Sequence, residues 1–389
     1  MIRCITCLYP VAKPDLHFDE AGECSACRSS KNKKQIDWES RKKELEVLLD
    51  RFNGECIVPS SAGKDSTMQA IFLKNMGADV TAVTARTCHL TPIGRRNIDN
   101  LAKHVKTVEY VPNMSVRAKL NRLALGLVGD ISHPEHMAIF TTPFRASLDL
   151  NIPLIMYGEC PQMEYGGPHG SDEAKQLTER WRSEYGGFLG LRPSDFIGME
   201  GITEKDMKDY TFIDNVGKTE AHFLGQYKPW NSHENAKIAV EHGFETMLPS
   251  SANWWNFENL DNAQTGIHDY MMFLKFGFGR ACGQLSVDIR NGLISRKEAM
   301  DVLVHIDGMF PEWYAGIDFY EILDRIEMEE KRFDEILLEY TNDVSNPALS
   351  QFCYTGTGHS LKANSSTHGD RLVFHFKLPG SMQREALTN

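Results

Sequence analysis

Apolar positions along the chain change their period several times, and each change predicts an element. Helical spacing over 38–49 predicts an amphipathic helix, and the short apolar run at 56–59 predicts a buried strand. The alternation continues with helix over 66–75, strand over 80–85, helix over 93–105 and strand over 107–111. Two more helical stretches, 116–128 and 134–149, lead into Ile152-Pro153-Leu154-Ile155-Met156-Tyr157-Gly158-Glu159, read as a strand and its exit. Strands alternating with helices predict an α/β fold, a doubly wound parallel sheet whose ligands gather at the carboxyl ends of its strands. On that reading the strand ends at 60–66, 84–89 and 158–164 face one another.

The rest of the chain is less regular. Residues 166–250 show no sustained period and are rich in Gly, Asp and aromatics, which predicts an irregular insertion over the site. Helical spacing returns over 265–276, 281–291, 295–305 and 320–340, so 251–345 reads as a helical region completing the substrate site. The tail at 346–389 has a mixed pattern with no assignable element, and no internal repeat is evident. Ahead of the sheet, which is expected over 36–165, the segment 1–35 is marked by its cysteines.

Charge narrows the partners. The 389 residues carry 42 basic and 53 acidic side chains, a net charge of -11 that repels polyanions. Lys31, Lys33, Lys34, Arg41, Lys42 and Lys43 form a basic run, but Asp37, Glu39, Glu44 and Glu46 interleave with it, the pattern of a solvated helix. Neither nucleic acid nor membrane is an expected partner. No apolar segment is long enough to cross a bilayer, and Met1-Ile2-Arg3-Cys4 is not a basic-then-apolar leader, so the expected location is the cytoplasm.

Cys4-Ile5-Thr6-Cys7 and Cys24-Ser25-Ala26-Cys27 are two Cys-x-x-Cys knuckles at the spacing of a zinc ribbon. Four thiolates leave no open position for water, so Cys4, Cys7, Cys24 and Cys27 are expected to hold structural Zn²⁺. An iron–sulfur cluster and two disulfides are the alternatives. Scattered thiols at Cys56, Cys88, Cys160, Cys282 and Cys353 argue against a disulfide-bonded secreted chain.

The stretch Pro59-Ser60-Ser61-Ala62-Gly63-Lys64-Asp65-Ser66 follows an apolar run and enters a helical pattern. Small residues let backbone N–H groups approach an anion, and the following helix adds its partial positive charge, so the turn reads as a phosphate cradle. Its spacing is not the Gly-x4-Gly-Lys-Ser/Thr of mononucleotide kinases. Other residues have competing readings. Trp230, Trp254, Trp255 and Phe257 either stack a ligand ring or pack a local core, and His268 either transfers protons or is a satisfied helix histidine. Cys88 and Cys160, at strand ends, are either sulfur carriers or small buried hydrophobes.

Read as Ser-Ala-Gly-Lys-Asp-Ser, the loop resembles the Ser-Gly-Gly-x-Asp-Ser loop of the PP-loop ATP pyrophosphatases, with Ala62 where that family usually has its first Gly. The chain as a whole resembles the N-acetyl sugar amidotransferases, the WbpG-like enzymes of bacterial surface-polysaccharide and nonulosonic-acid pathways. The knuckles with Phe18-Asp19-Glu20-Ala21-Gly22-Glu23-Cys24, the loop, and Gly158-Glu159-Cys160-Pro161-Gln162-Met163-Glu164-Tyr165-Gly166-Gly167 carry part of the resemblance. Lys275-Phe276-Gly277-Phe278-Gly279-Arg280, Asp288-Ile289-Arg290-Asn291-Gly292 and Arg296-Lys297-Glu298-Ala299 carry the rest.

The resemblance implies a Rossmann-like PP-loop fold and an enzyme that uses ATP, Mg²⁺ and ammonia to turn a sugar acetamido group into an acetamidino group, the sugar being nucleotide-linked or free. It implies that Ser60, Ser61, Ala62, Gly63, Asp65, Ser66 and Gly158 bind the nucleotide, with Asp65 also a Mg²⁺ ligand. Lys64 would neutralise phosphate, Glu159 would be a second Mg²⁺ ligand or face the sugar amide, and Arg280 and Lys275 would clamp phosphate or a sugar carboxylate. No Cys–His–Glu glutaminase constellation is recognisable and the N-terminal position holds Met1-Ile2, so ammonia is expected from a separate glutaminase with a cyclase-like partner. Two other readings stand beside this one: a tRNA 2-thiolation enzyme of the same loop class, and a nucleotide-binding scaffold without turnover.

Overall fold

The computed structural model describes residues 2–166, 176–177, 189–213 and 216–341. Its centre is a five-stranded parallel sheet of order β3-β2-β1-β4-β5, with β1 Glu55–Pro59, β2 Asp79–Ala85, β3 Lys106–Tyr110, β4 Leu154–Tyr157 and β5 Glu220–Phe223. The register sets Cys56 beside Val80, Val83 beside Val108 and Tyr157 beside Phe223.

Side chains alternate across these strands and build two cores. Cys56, Val58, Val80, Ala82, Leu154 and Met156 face one way, against Met68 and Leu73 of α3 (Lys64–Asn75) and Leu45 and Leu48 of α2 (Trp38–Arg51). Ile57, Val83, Ile155, Tyr157 and Phe223 face the other way, against Phe144 and Ala146. Helices thus cover both faces of the sheet, as the sequence alternation predicts. Ahead of α2 lies α1 (Ser25–Asn32), and the remaining helices of the sheet region are α4 (Pro92–Leu101), α5 (Met114–Val128), α6 (His133–Leu150) and the short α7 (Pro161–Tyr165).

Because β2 and β3 extend from one side of β1 and β4 and β5 from the other, the strand order reverses between β1 and β4. The exits of those two strands therefore flank the crevice where open α/β sheets bind ligands.

Two sequence expectations need correction. The stretch 166–250 is not simply an insertion: it supplies β5 and α8 (Ser232–Glu241), which packs on α3. The helical run 320–340 is two helices, separated where Glu327 turns left-handed at φ 53° and Met328 N–H donates back to Leu323 O at 2.9 Å. With α9 (Thr265–Phe276), α10 (Arg280–Asn291) and α11 (Arg296–Ile306), these two, α12 (Phe319–Arg325) and α13 (Glu330–Thr341), form the C-terminal helical region. Its core joins Ile267, Tyr270, Met271 and Leu274 of α9 to Ile322, Phe333 and Ile336. The N-terminal segment docks on the same region, Leu8 and Tyr9 packing with Cys282, Leu285 and Val302. Of the segments expected by sequence, the tail at 346–389 lies outside the described residues. Among the described residues, no helix is long and apolar enough to cross a membrane.

Candidate functional site

A cleft of about 620 Å³ opens at the carboxyl ends of β1, β2 and β4. Its volume is that of a small-molecule site. The turn after β1 forms one wall, contributing Ser60, Ser61, Gly63, Lys64, Asp65 and Ser66.

The turn is held from within. Ser60 N–H donates to Val83 O at 2.9 Å, continuing the ladder one residue past the strand, and Ser60 Oγ accepts from Ala62 N–H at 2.9 Å. Ser60 Oγ also lies 3.0 Å from Ser66 Oγ. Ala62 sits at φ 56°, a left-handed conformation that favours glycine. Its methyl is buried with Val58 and Met68 in the sheet core, and this burial offsets part of the backbone cost. Helix α3 begins at Gly63 without a side-chain cap, which leaves its first-turn N–H groups for an anion at the cleft wall.

Lys64 does not point to solvent. It is 4 % exposed, its Nζ is 2.6 Å from Asp65 Oδ2, and it lies 5.5 Å from the centre of the Phe257 ring and 5.8 Å from that of Trp255. Burial opposes its charge, but Asp65 and Glu258 outweigh burial and hold the ammonium above its ordinary value. The other oxygen of Asp65 accepts from Asn235 Nδ2 of α8 at 2.8 Å, so a residue 170 positions away fixes the carboxylate.

Glu159 follows β4 and joins the same wall beside Gly158. Burial, and then the neighbouring Asp65 charge, push its carboxyl up to about 7. Gly225 presses against this exit, donating its N–H to Gly158 O at 3.0 Å. Across the cleft stands Glu258, which sequence reasoning missed. Burial pushes its carboxyl up, but Lys64 and Arg280 prevail and hold it below the usual range; Gln284 Nε2 donates to it at 3.0 Å. Asp65, Glu159 and Glu258 thus form an acidic rim on which two cations converge.

Arg280, at the start of α10, lines the cleft, and its guanidinium forks onto Asp269 with contacts of 2.7, 3.0 and 3.1 Å. Lys275 does not belong to the cleft. Its Nζ donates to Val128 O at 3.0 Å, at the carboxyl end of α5, where a cation complements the helix dipole.

The aromatic residues pack mainly with one another. Trp255 and Phe257 stack at 5.2 Å, both Trp254 and Trp255 donate Nε1–H to Asp288, and Trp230 is buried against Gly158. Phe257 alone of these four lines the cleft. Burial pushes the Cys88 thiol up to about 12 and that of Cys160 to about 11, and neither side chain lines the cleft. Both are buried, and Cys160 Sγ lies 3.3 Å from Gln162 Oε1 and from Gln226 Nε2, which donates to it. At the far end of the cleft, His136 and His268 flank Asp130.

Away from the cleft, the sulfurs of Cys4, Cys7, Cys24 and Cys27 lie within 4.8 Å of one another. Cys4 and Cys27 are 3.9 Å apart, and Cys7 and Cys24 3.7 Å. A tetrahedron with metal–sulfur arms of about 2.3 Å has edges of about 3.8 Å, so the set fits such an ion. Thr6 and Cys24 N–H groups point at Cys4 Sγ, at 3.4 and 3.3 Å, as donors to a thiolate would.

No curated protein matches the chain. Residues 250–346 match the family model of the LPS biosynthesis protein WbpG-like, C-terminal domain. That span runs from the aromatic wall through α13 and supplies Phe257, Glu258, His268 and Arg280 to the cleft. Over this span the chain is therefore similar to the C-terminal domain of the WbpG-like lipopolysaccharide biosynthesis proteins.

Proposed function

We propose that the chain is an ATP-dependent N-acetyl sugar amidotransferase, converting an acetamido to an acetamidino group in surface-polysaccharide synthesis. One observation carries this reading: a single cleft joins an anion-cradling turn at the sheet's switch point to Glu258 and Arg280 of the WbpG-like domain.

An amide carbonyl is a poor electrophile, so its oxygen must become a leaving group. The oxygen attacks the α-phosphorus of ATP, pyrophosphate departs, and ammonia then displaces AMP from the O-adenylyl imidate to leave the amidine. In this reading Ser60, Ser61, Gly63 and the first-turn N–H groups of α3 receive pyrophosphate, and Ser66 donates to it. Lys64, kept charged by its neighbours, offsets phosphate charge. Asp65 and Glu159 would hold Mg²⁺, which supplies further charge neutralisation. Asn235 fixes the Asp65 carboxylate, and Gly225 anchors the backbone at Gly158, next to Glu159. Glu258 and Arg280 would face the sugar. The four cysteines would hold structural Zn²⁺, and ammonia would come from a separate glutaminase.

The test is direct. With ATP, Mg²⁺ and ammonium, the chain should convert an acetamido sugar to a product that has gained NH and lost O, releasing AMP and pyrophosphate in equal amounts. Asp65→Asn and Ser66→Ala should abolish both releases while the fold is kept. Near-normal turnover in both variants, or AMP release without an amidine, would sink the proposal.

A further inference from the structure

Asp130 lies in the turn between α5 and α6, His136 on the first turns of α6, and His268 on α9. One potential ligand atom from each lies within 4.8 Å of the other two. His268 Nδ1 is 2.7 Å from Asp130 Oδ1, and His136 Nδ1 is 3.5 Å from Asp130 Oδ2. Ions bound at about 2.0–2.2 Å by nitrogen and oxygen need ligand separations of roughly 3–3.6 Å, so the 3.5 Å pair already fits and the 2.7 Å pair has only to open by a few tenths of an ångström.

Three details distinguish this cluster from an ordinary buried hydrogen-bond group. His136 Nδ1 is buried and has no hydrogen-bond partner among the described residues, although a carboxylate oxygen stands before it. A cation between the two would satisfy both. Asp130 is oriented from behind, Oδ1 also accepting from Ser132 N–H at 2.9 Å, which is the support metal-binding carboxylates receive. Both histidines line the cleft, so one side of the set opens to a water or a substrate oxygen. The adjacent Glu135 is not part of it, because Arg117 at 3.0 Å and Asn121 at 2.7 Å hold its two oxygens.

We propose that Asp130, His136 and His268 form a metal site for a divalent transition-metal ion of the zinc class, with an open position facing the cleft. Two imidazoles with one carboxylate favour such ions over Mg²⁺ or Ca²⁺, which prefer all-oxygen sets. The site is separate from the four cysteines and does not depend on the amidotransferase reading.

Cobalt distinguishes the two sets, because thiolate ligands give an intense ultraviolet charge-transfer band and nitrogen–oxygen sets give only weaker visible bands. The full-length protein, retaining its thiolate-held zinc, is titrated with Co²⁺ and the bound metal counted after desalting. The expected result is one cobalt per chain with visible bands and no thiolate band. His136→Ala, whose removal breaks no hydrogen bond at Nδ1, and His268→Gln should each weaken cobalt binding about tenfold or more while circular dichroism and the zinc content hold. No bound cobalt, equal binding by both variants, or a thiolate band would overturn the proposal.

Discussion

Arg280 and Asp269 meet across the junction of α10 and α9 in a forked ion pair, with Asp269 1 % exposed. Removing the guanidinium leaves a buried carboxylate without its counter-charge. Arg280→Ala should therefore destabilise the protein by about 2–3 kcal/mol, discounted from the fully buried case because Arg280 keeps some exposure. Arg280→Lys should recover part of that loss, since it keeps the charge but not the fork. Denaturant unfolding of the three proteins checks both statements, and equal stability of all three would show that the pair contributes nothing. An activity loss in Arg280→Ala is informative about the sugar only after this stability loss is measured.

Gly225 tests how the Glu159 exit is positioned. A Cβ there would lie 2.9 Å from Cys160 N and 3.4 Å from Glu159 Cα, and both neighbours are backbone. Gly225→Ala should push the β4 exit away and move Glu159 relative to Asp65. We expect a stability loss of about 1–3 kcal/mol together with at least a tenfold fall in kcat/KM for pyrophosphate release. A variant that loses stability but keeps its kinetics would show that Glu159 needs no fixed place.

What the sequence made legible follows from how local each signal is. The strands at 56–59 and 80–85 stand out as apolar, β-branched runs, and the turn at 60–66 announces itself within a few residues. Strand β5 does not, because Glu220 and His222 interrupt its four residues and only its pairing with β4 makes it a strand. Asn235 and Glu258 reach Asp65 and Lys64 from far along the chain, so no spacing rule finds them. Lys275 and Arg280 look equivalent as sequence. They separate because one ends α9 toward α5 and the other starts α10 facing the cleft.

The four-cysteine set should be structural. Cys24→Ser should lose the ion and loosen the N-terminal segment, exposing Leu8 and Tyr9, now buried against α10 and α11. The expected loss is roughly 2–5 kcal/mol, a combination of metal binding and apolar burial. Elemental analysis should give zinc in the parent and none at this site in the variant, and limited proteolysis should cut the variant within its first 35 residues. Iron with sulfide in the parent would overturn the assignment.

Glu159 makes stability depend on pH in a direction opposite to that of a salt-bridged carboxylate. Its native carboxyl titrates at about 7, whereas an unfolded glutamate titrates near 4.3. Between roughly pH 4.5 and 7 the native chain retains a proton that the unfolded chain has lost, so stability falls as pH rises through this window and levels off above it. Without added Mg²⁺, Glu159→Gln should be more stable than the parent at pH 8 by on the order of 1–3 kcal/mol, the low end reflecting the partial exposure of the side chain. Near pH 4 the two should converge. Mg²⁺ should stabilise the parent more than the variant at pH 8, because only the parent offers the second carboxylate, and the variant should lose pyrophosphate release. Unfolding curves across pH decide the matter: a stability difference that stays constant from pH 4 to 8 would mean that Glu159 ionises normally, and that the crowding of Glu159 and Asp65 is not what prepares this cleft for a cation.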